Sequence, residues 1–288
     1  MPKIDITAFF HEDTHTVTYL VVDLATSACA IIDPVLDYDP ASGRTNTLSA
    51  DNIVSHIVKH GYRLAWILET HVHADHLSAA HYMRAQLGGS IGIGENICAV
   101  QKTFKQIFNL EAEFKTDGSQ FDHLFVDKEI IKLGHVHITV MHTPGHTPAC
   151  VSYLIEDAVF VGDTLFMPDY GTARTDFPQG SALLLYQSIQ RILALPKLTR
   201  MFVGHDYQAP DRDVFAWETS VREQQQSNVH IKAGVSEDEF IEKRTARDAT
   251  LNVPRLLLPA IQINVRAGGM PPAESNGHAY LKIPLDTI

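Results

Sequence analysis

No stretch of this 288-residue chain approaches the ~20 consecutive apolar residues that a membrane-spanning helix requires. Met1-Pro-Lys-Ile-Asp5 lacks the apolar segment of a secretory leader, so a cytoplasmic, bacterial-type location is expected. Basic runs are missing too. Lys and Arg number 23 against 34 Asp and Glu, a net charge of −11, whereas a nucleic-acid partner needs a local excess of cations. Cysteine is scarce: Cys29, Cys98 and Cys150 are odd in number and form no Cys-x-x-Cys pair. Cys29 and Cys150 lie in strand-like runs and read as small core residues in a reducing compartment. No histidine-activated setting marks a catalytic thiol. Repeats and low-complexity linkers are also absent. At 45% hydrophobic, the chain has enough apolar content for a full core.

What it has is an unusual density of metal-capable side chains. Thr70-His71-Val72-His73-Ala74-Asp75-His76 places four within six residues, directly after the apolar run Leu64-Ala-Trp-Ile-Leu-Glu69. Burying so polar a cluster is costly unless something satisfies it, and a metal ion is the usual satisfier. His71 and His73 sit at i and i+2 and so project to one side of an extended segment, while Asp75 and His76 lie on the turn that follows. Three more candidates each adjoin an apolar run: His146 in His142-Thr-Pro-Gly-His-Thr147, Asp163 in Val161-Gly-Asp-Thr164, and His205 in Val203-Gly-His-Asp-Tyr207. All could meet at one edge of a sheet assembly. Spacing alone is not sufficient, because His135-Val136-His137 repeats His71-Val72-His73. There, Val136, Ile138 and Val140 alternate toward a core, and both histidines are expected on the outside.

Strands are expected at 15–22, 28–32, 64–69, 130–133, 136–141, 151–155, 159–161 and 200–203, the last being the final strand of the core. Asp33 to Thr47 reads as a loop. Ser49 reads as the cap of a helix with Ile53, Ile57 and Val58 on its inner face, stopped by Gly61. Further helices are expected at 77–87, 96–108 and 182–195. Residues 217–226 and 236–250 read as helices beyond the core, the second with a capping box of Ser236 and Glu239. Strands in two groups, each closed by helices, predict an α/β (α+β) protein in which two mixed β-sheets pack together with helices outside. The catalytic core is placed at 1–210. Residues 211–288 are placed as C-terminal helices and a Pro/Gly-punctuated tail packed on that core within the same domain, as a lid or an interface.

Taken together and in order, these motifs resemble the metallo-β-lactamase fold superfamily over about residues 10–210. The resemblance implies an αββα sandwich with its metal site at one edge of the two sheets. In two-metal hydrolases of that superfamily, the matching positions His71, His73 and His146 hold one ion and Asp75, His76 and His205 the other, with Asp163 between them. Gly171-Thr-Ala-Arg-Thr-Asp-Phe177 is similar instead to the ETHE1-like persulfide dioxygenases, and so are Tyr207 after Gly-His-Asp and the tail from Pro259 to Gly269. The Gly-Arg-Phe-Phe of glyoxalase II and its Lys/Arg-rich C-terminal helices are not seen. One departure is Ala267-Gly268, where animal dioxygenases carry Cys-Gly.

The dioxygenase resemblance implies a single Fe(II) per chain on a facial triad of His71, His146 and Asp163, leaving the opposite face open for substrate and oxygen. His73, Asp75, His76 and His205 would form an outer shell, or a second metal site if the centre is dinuclear. Arg174 would hold a substrate carboxylate or fix its loop through Asp176, and Tyr207 would donate a hydrogen bond. The expected partners are a small-molecule persulfide, such as glutathione persulfide, and O2, with no nucleic acid and no membrane. The apolar tail leaves a homodimer open. The alternatives are a glyoxalase II-like thioester hydrolase with two zinc ions and a non-catalytic, metal- or sulfide-responsive binding protein.

Overall fold

The computed structural model describes residues 3–287. The chain opens with β1 (Ile4–His11), β2 (Thr16–Asp23) and β3 (Ala28–Ile32), paired antiparallel in that order. Both faces of β3 are covered, which is why it reads as unbroken apolar sequence. The segment expected as a loop after Asp33 holds a hairpin instead, β4 (Val35–Asp39) and β5 (Arg44–Asn46). Its outer residues are polar and exposed, so no apolar alternation announces it.

α1 (Leu48–His60) begins after Thr47, two residues before the expected cap Ser49 and without a side-chain capping bond, and ends at Gly61 in the left-handed conformation. Its inner face is Ala50, Ile53 and Ile57. Val58, expected there, is exposed, because it lies about 100° round the helix from Ile57. β6 (Arg63–Leu68) leads into the histidine-rich loop. A short β7 (Leu77–Ser78) then pairs with β4 before α2 (Ala80–Leu87) begins, so the expected helix starts three residues late. β8 (Ser90–Gly94), α3 (Ile97–Ile107) and β9 (His123–Phe125) complete this half. The two strands are too short or too glycine-rich to show a period in sequence.

The second half contains β10 (Ile130–Leu133), β11 (Val136–His142), β12 (Val151–Ile155), β13 (Ala158–Phe160), α4 (Ala182–Leu193) and β14 (Arg200–Phe202). β14 is not the last strand. Glu218–Ser220, expected at the start of a helix, forms β15 on its edge, and α5 (Val221–Ser227) follows. α6 (Glu237–Asp248) carries the capping box of Ser236 and Glu239. The Pro/Gly-punctuated tail, for which no helix was expected, contains α7 (Leu257–Asn264).

Two six-stranded sheets result, ordered β1-β2-β3-β6-β8-β9 and β10-β11-β12-β13-β14-β15, with a small sheet of β5, β4 and β7. Both large sheets mix parallel and antiparallel pairs. Strand alternation sorts the core into layers. Tyr19, Val21, Ala30 and Ile32 meet Val140, Tyr153 and Phe160 between the sheets. Leu20, Val22, Cys29 and Ile31 face outward under α1, α2, α3 and α7. Val159 and Met201 pack under α4 and α6. The αββα sandwich is therefore present. His135 and His137 are exposed between buried Val136 and Ile138, as the alternation predicts. Burial pushes the thiols of Cys29 and Cys150 up to about 12, so neither is a ready nucleophile. No helix among the described residues is long and apolar enough to cross a membrane.

Candidate metal centre

Loops leaving β6, β11, β13 and β14 converge at one edge of the sandwich, and each carries donors. Two glycines make the approach possible. At Gly162, where φ is +50°, an added Cβ would lie 2.5 Å from Thr70 Oγ1. At Gly145, with φ +143°, it would lie 2.3 Å from the Leu185 backbone nitrogen. Both positions exclude a side chain for steric reasons as well as conformational ones.

The seven candidate donors fall into two groups. His71, His146 and Asp163 each offer an atom within 4.8 Å of the others, and His73, Asp75, His76 and His205 form a second such set. Asp163 Oδ2 lies 3.8 Å from His71 Nε2 and 3.7 Å from His146 Nε2. Its other oxygen, Oδ1, lies 3.2 Å from His205 Nε2 in the second group, so this carboxylate faces both. Asp75 Oδ2 is 3.1 Å from His205 Nε2 and 3.6 Å from His76 Nδ1.

Backbone and side-chain partners set the imidazole tautomers. His146 Nδ1 donates to the Arg174 carbonyl at 2.8 Å, which leaves Nε2 with its lone pair toward Asp163. His71 Nδ1 is 2.9 Å from Thr70 Oγ1, and that hydroxyl donates to Asp33 Oδ2 at 2.8 Å, so His71 Nε2 is likewise bare. His73 is held differently. Its Nε2 faces Asp33 Oδ1 at 3.0 Å and Glu69 Oε2 at 3.5 Å, which puts this ring in a third buried cluster of Asp33, Glu69 and His73.

Burial and the neighbouring imidazoles of His73 and His146 hold His71 well below its usual basicity, so it is a neutral ligand. Burial, then His73, lowers His76 to about 4. Burial opposes ionisation of Asp75, but His205 and His76 keep its carboxyl well below the usual range. His71 and His76 are thus neutral imidazoles and Asp75 an ionised carboxylate, the state a cation needs. His73 goes the other way: burial opposes its charge, but Asp33 and Glu69 raise it well above its usual basicity. His71 Nε2, His76 Nε2, His205 Nε2, Asp75 Oδ2 and Asp163 Oδ1 are all buried without a hydrogen-bond partner. Leaving such atoms unpaired costs about 1–3 kcal/mol each, and cations bound at the donor groups would satisfy them.

A cavity of about 350 Å³ opens beside the first group and is lined by His146, Asp163, Arg174, Phe177 and Tyr207, among others. Tyr207 stacks on His205, with ring centres 5.4 Å apart and planes at 12°. Burial, then Asp75 and Asp163, keep its hydroxyl protonated, so it is available as a donor to the cavity. Arg174 borders the cavity but is largely committed elsewhere. Its Nε and Nη2 pair with both oxygens of Asp176 at 2.5 and 2.6 Å, and Nη1 donates to the Asn252 carbonyl at 2.7 Å. Asp176 therefore serves as the anchor of Arg174.

Sequence motifs did not point to the residues that brace this centre. Asn264 of α7 donates to the carbonyls of His73 and His76 at 2.9 and 2.8 Å and accepts from Ser78 N at 2.7 Å. Asp33 had a visible signal, an acidic residue ending the apolar strand β3, and it takes both the backbone and the hydroxyl of Thr70. Arg244, Arg247 and Arg255 also line the cavity, although no motif surrounds them.

The fold and this donor set agree with comparisons to known proteins. A probable metallo-hydrolase of Burkholderia pseudomallei (strain 1710b) is 51% identical over 293 residues, covering 98% of this chain and 99% of its own length. Glyoxylase B2 of Dictyostelium discoideum is 52% identical over 288 residues, covering 99% and 98%. The crystal structure of ETHE1 from Myxococcus xanthus superposes with a TM-score of 0.73 at 29% identity, over 92% of this chain and 100% of that one. The profile of the Metallo-beta-lactamase superfamily matches residues 12–205, and the chain belongs to that superfamily.

Proposed function

We propose that this protein is a persulfide dioxygenase that converts a low-molecular-weight persulfide, such as glutathione persulfide, with O2 and water into the thiol, sulfite and two protons. The observation that carries the reading is the three-donor group of two histidines and one carboxylate, His71, His146 and Asp163, of which His146 and Asp163 line the cavity. That set suits one Fe(II), which when bound would supply open positions for a soft sulfur anion and for O2. The chain's own residues do the rest. The Arg174 carbonyl orients His146, and the Arg174–Asp176 pair braces that carbonyl's loop. The protonated Tyr207 hydroxyl supplies a donor toward the bound reactants, and Phe166, Phe177 and Leu251 give the cavity apolar wall that limits water. Likeness to the Myxococcus xanthus ETHE1 structure over nearly the whole chain supports the reading.

A second reading has its own observation. Asp163 turns one oxygen to each donor group, the arrangement a bridging carboxylate takes between two metals ~3.5–4 Å apart. The relatives at 51% and 52% identity carry hydrolase and glyoxylase names, which favours a two-zinc thioester hydrolase on the same site. Metal analysis together with paired assays decides. About one iron per chain, with O2 uptake and sulfite release from glutathione persulfide, supports the dioxygenase. Two tightly held zinc ions, with S-lactoylglutathione hydrolysis and no O2 uptake, replaces it with the hydrolase.

A further inference from the structure

The large cavity is not the only space against His146. A second cavity, of about 10 Å³, shares only His146 and Phe177 with it, so these two side chains form the partition between them. The rest of the small cavity's wall is almost wholly apolar: Val72 from the histidine loop, Val100 and Phe104 from α3, Pro148, and Ile261 from α7. Val72, Val100, Phe104 and Ile261 belong to the buried layer beneath the helices, and Phe177 packs against that layer.

Such a space suits an apolar diatomic better than water. It stands at the lower limit of about 10–15 Å³ that admits one molecule of water's size. A buried water needs about two to four polar partners, and the wall offers none that is free. His146 donates its Nδ1 proton to the Arg174 carbonyl at 2.8 Å and turns Nε2 toward Asp163 Oδ2 at 3.7 Å. The Thr147 hydroxyl meets Cys150 Sγ at 3.1 Å. Water would therefore give up its hydrogen bonds on entering, whereas O2 has none to lose.

The position of the cavity also fits. Its outer side is closed by the turn from Phe177 to Gly180, in which Gly180 N donates to the Phe177 carbonyl at 2.8 Å. Gln179 Nε2 fastens that turn to α3 through Thr103 Oγ1 at 2.6 Å. Pro178 lines the cavity from this turn and is exposed, so a single short turn separates the space from solvent. At the inner end, the Phe177 ring stands edge-on to the His146 imidazole, with centres 5.0 Å apart and planes at 88°. The main cavity, at about 350 Å³, is of a size that a small organic ligand largely fills, so a bound carrier obstructs approach to the donors from that side.

We propose that the small apolar cavity is a binding site for O2, which reaches the metal donors past Phe177 while the persulfide occupies the main cavity. The proposal rests on the dioxygenase reading of those donors and adds to it a separate entrance for the gas. Phe177 is then a positioning residue, holding His146 on one face and the oxygen passage on the other.

The test reads the cavity apart from the reaction. Protein loaded with zinc, which is diamagnetic and consumes no O2, is placed under raised O2 pressure, and methyl relaxation is measured by NMR. The methyl groups of Val72, Val100 and Ile261 should relax faster than those of Leu20 and Ile31, which are fully buried in the same layer but line no part of the cavity. Val100→Phe, which fills the space, should abolish that excess at Val72 and Ile261, and Val100→Ala should increase it. With iron-loaded protein, Val100→Phe should raise the KM for O2 roughly 5- to 10-fold and leave kcat and the KM for glutathione persulfide unchanged, the pattern of lost binding rather than lost chemistry. No excess relaxation at the three methyl groups overturns the site. Excess relaxation that Val100→Phe abolishes without changing the KM for O2 overturns the entrance. Absence of any O2 consumption by the iron-loaded protein removes the dioxygenase reading, and the relaxation of the zinc-loaded protein still decides whether the cavity takes O2.

Discussion

At the scale of single residues, the centre is governed by which nitrogen each imidazole leaves bare. His71 and His146 are fixed by Thr70 and by the Arg174 carbonyl, so their Nε2 atoms reach the Asp163 carboxylate without rearrangement. Their removal should abolish metal binding. His71→Ala, His146→Ala and Asp163→Ala are expected to lose iron, measured as metal per chain after gel filtration. His205→Ala should keep most of it, because an outer partner's loss typically costs ~10–100-fold in affinity or activity. If His205→Ala is as metal-free as His71→Ala, the two-metal reading gains the site. Pairing also changes what Arg174 is expected to do. With both oxygens of Asp176 and the Asn252 carbonyl taken up, its charge is not free for substrate. Neighbour spacing could state the two roles open to Arg174, but only contacts could rank them.

At the scale of elements, two segments outside the metal loops hold them in place. α7 reaches the histidine loop through Asn264, whose side chain closes three buried hydrogen bonds to His73, His76 and Ser78. Asn264→Ala would strand those backbone groups. An unsatisfied buried group costs about 1–3 kcal/mol, so a loss of about 3 kcal/mol is expected from denaturant midpoints, with roughly tenfold weaker metal binding. Unchanged metal affinity would show that α7 only covers the loop.

The second brace is His230, whose Nδ1 accepts from Thr172 N at 3.0 Å beneath the loop that carries Arg174. Burial, then Arg244, Lys243 and Arg247, lower it from 6.5 to about 3. Between those two values the unfolded chain binds one proton more than the folded chain, so stability rises with pH. The contribution of His230 is complete above pH 6.5 and is lost as pH falls toward 3. His230→Gln should flatten the acid limb of the stability profile by up to about 3 kcal/mol. An identical acid limb in wild type and variant would exclude His230 as its source.

At the scale of the whole molecule, the sandwich brings together loops from both sheets and leaves several buried, unpaired donor atoms at their junction. The apo protein therefore carries a stability deficit that a bound ion relieves. Chelation should lower the melting temperature, and re-addition of metal should raise it in a concentration-dependent way, by about 4 kcal/mol of stabilisation at a thousandfold excess over Kd. A melting temperature indifferent to chelator would mean that the donors are satisfied without a metal.

The identity of the donors, the apolar strands that end in them and the αββα layering were legible in the linear chain. Strand period, turn residues and ligand chemistry are local properties, written within a few residues of one another. The same locality separates His135 and His137 from the donors, since their strand alternates with buried Val136 and Ile138 and both are exposed. The hairpin of β4 and β5, the edge strand β15 and helix α7 were not legible. The strands are short and partly polar, and α7 is apolar almost all round, so none shows a one-sided period. The division of seven donors into three and four came from the family resemblance, and the atoms group the same way in space; that Asn264 clamps a loop 191 residues away was decided by tertiary structure alone. Tertiary structure also placed Arg244, Arg247 and Arg255, from the last quarter of the chain, on the wall of the cavity that Asp163 lines. The physical reason is that hydrogen bonding and charge act over ångströms in space, and the distance between two residues along the chain does not encode that separation.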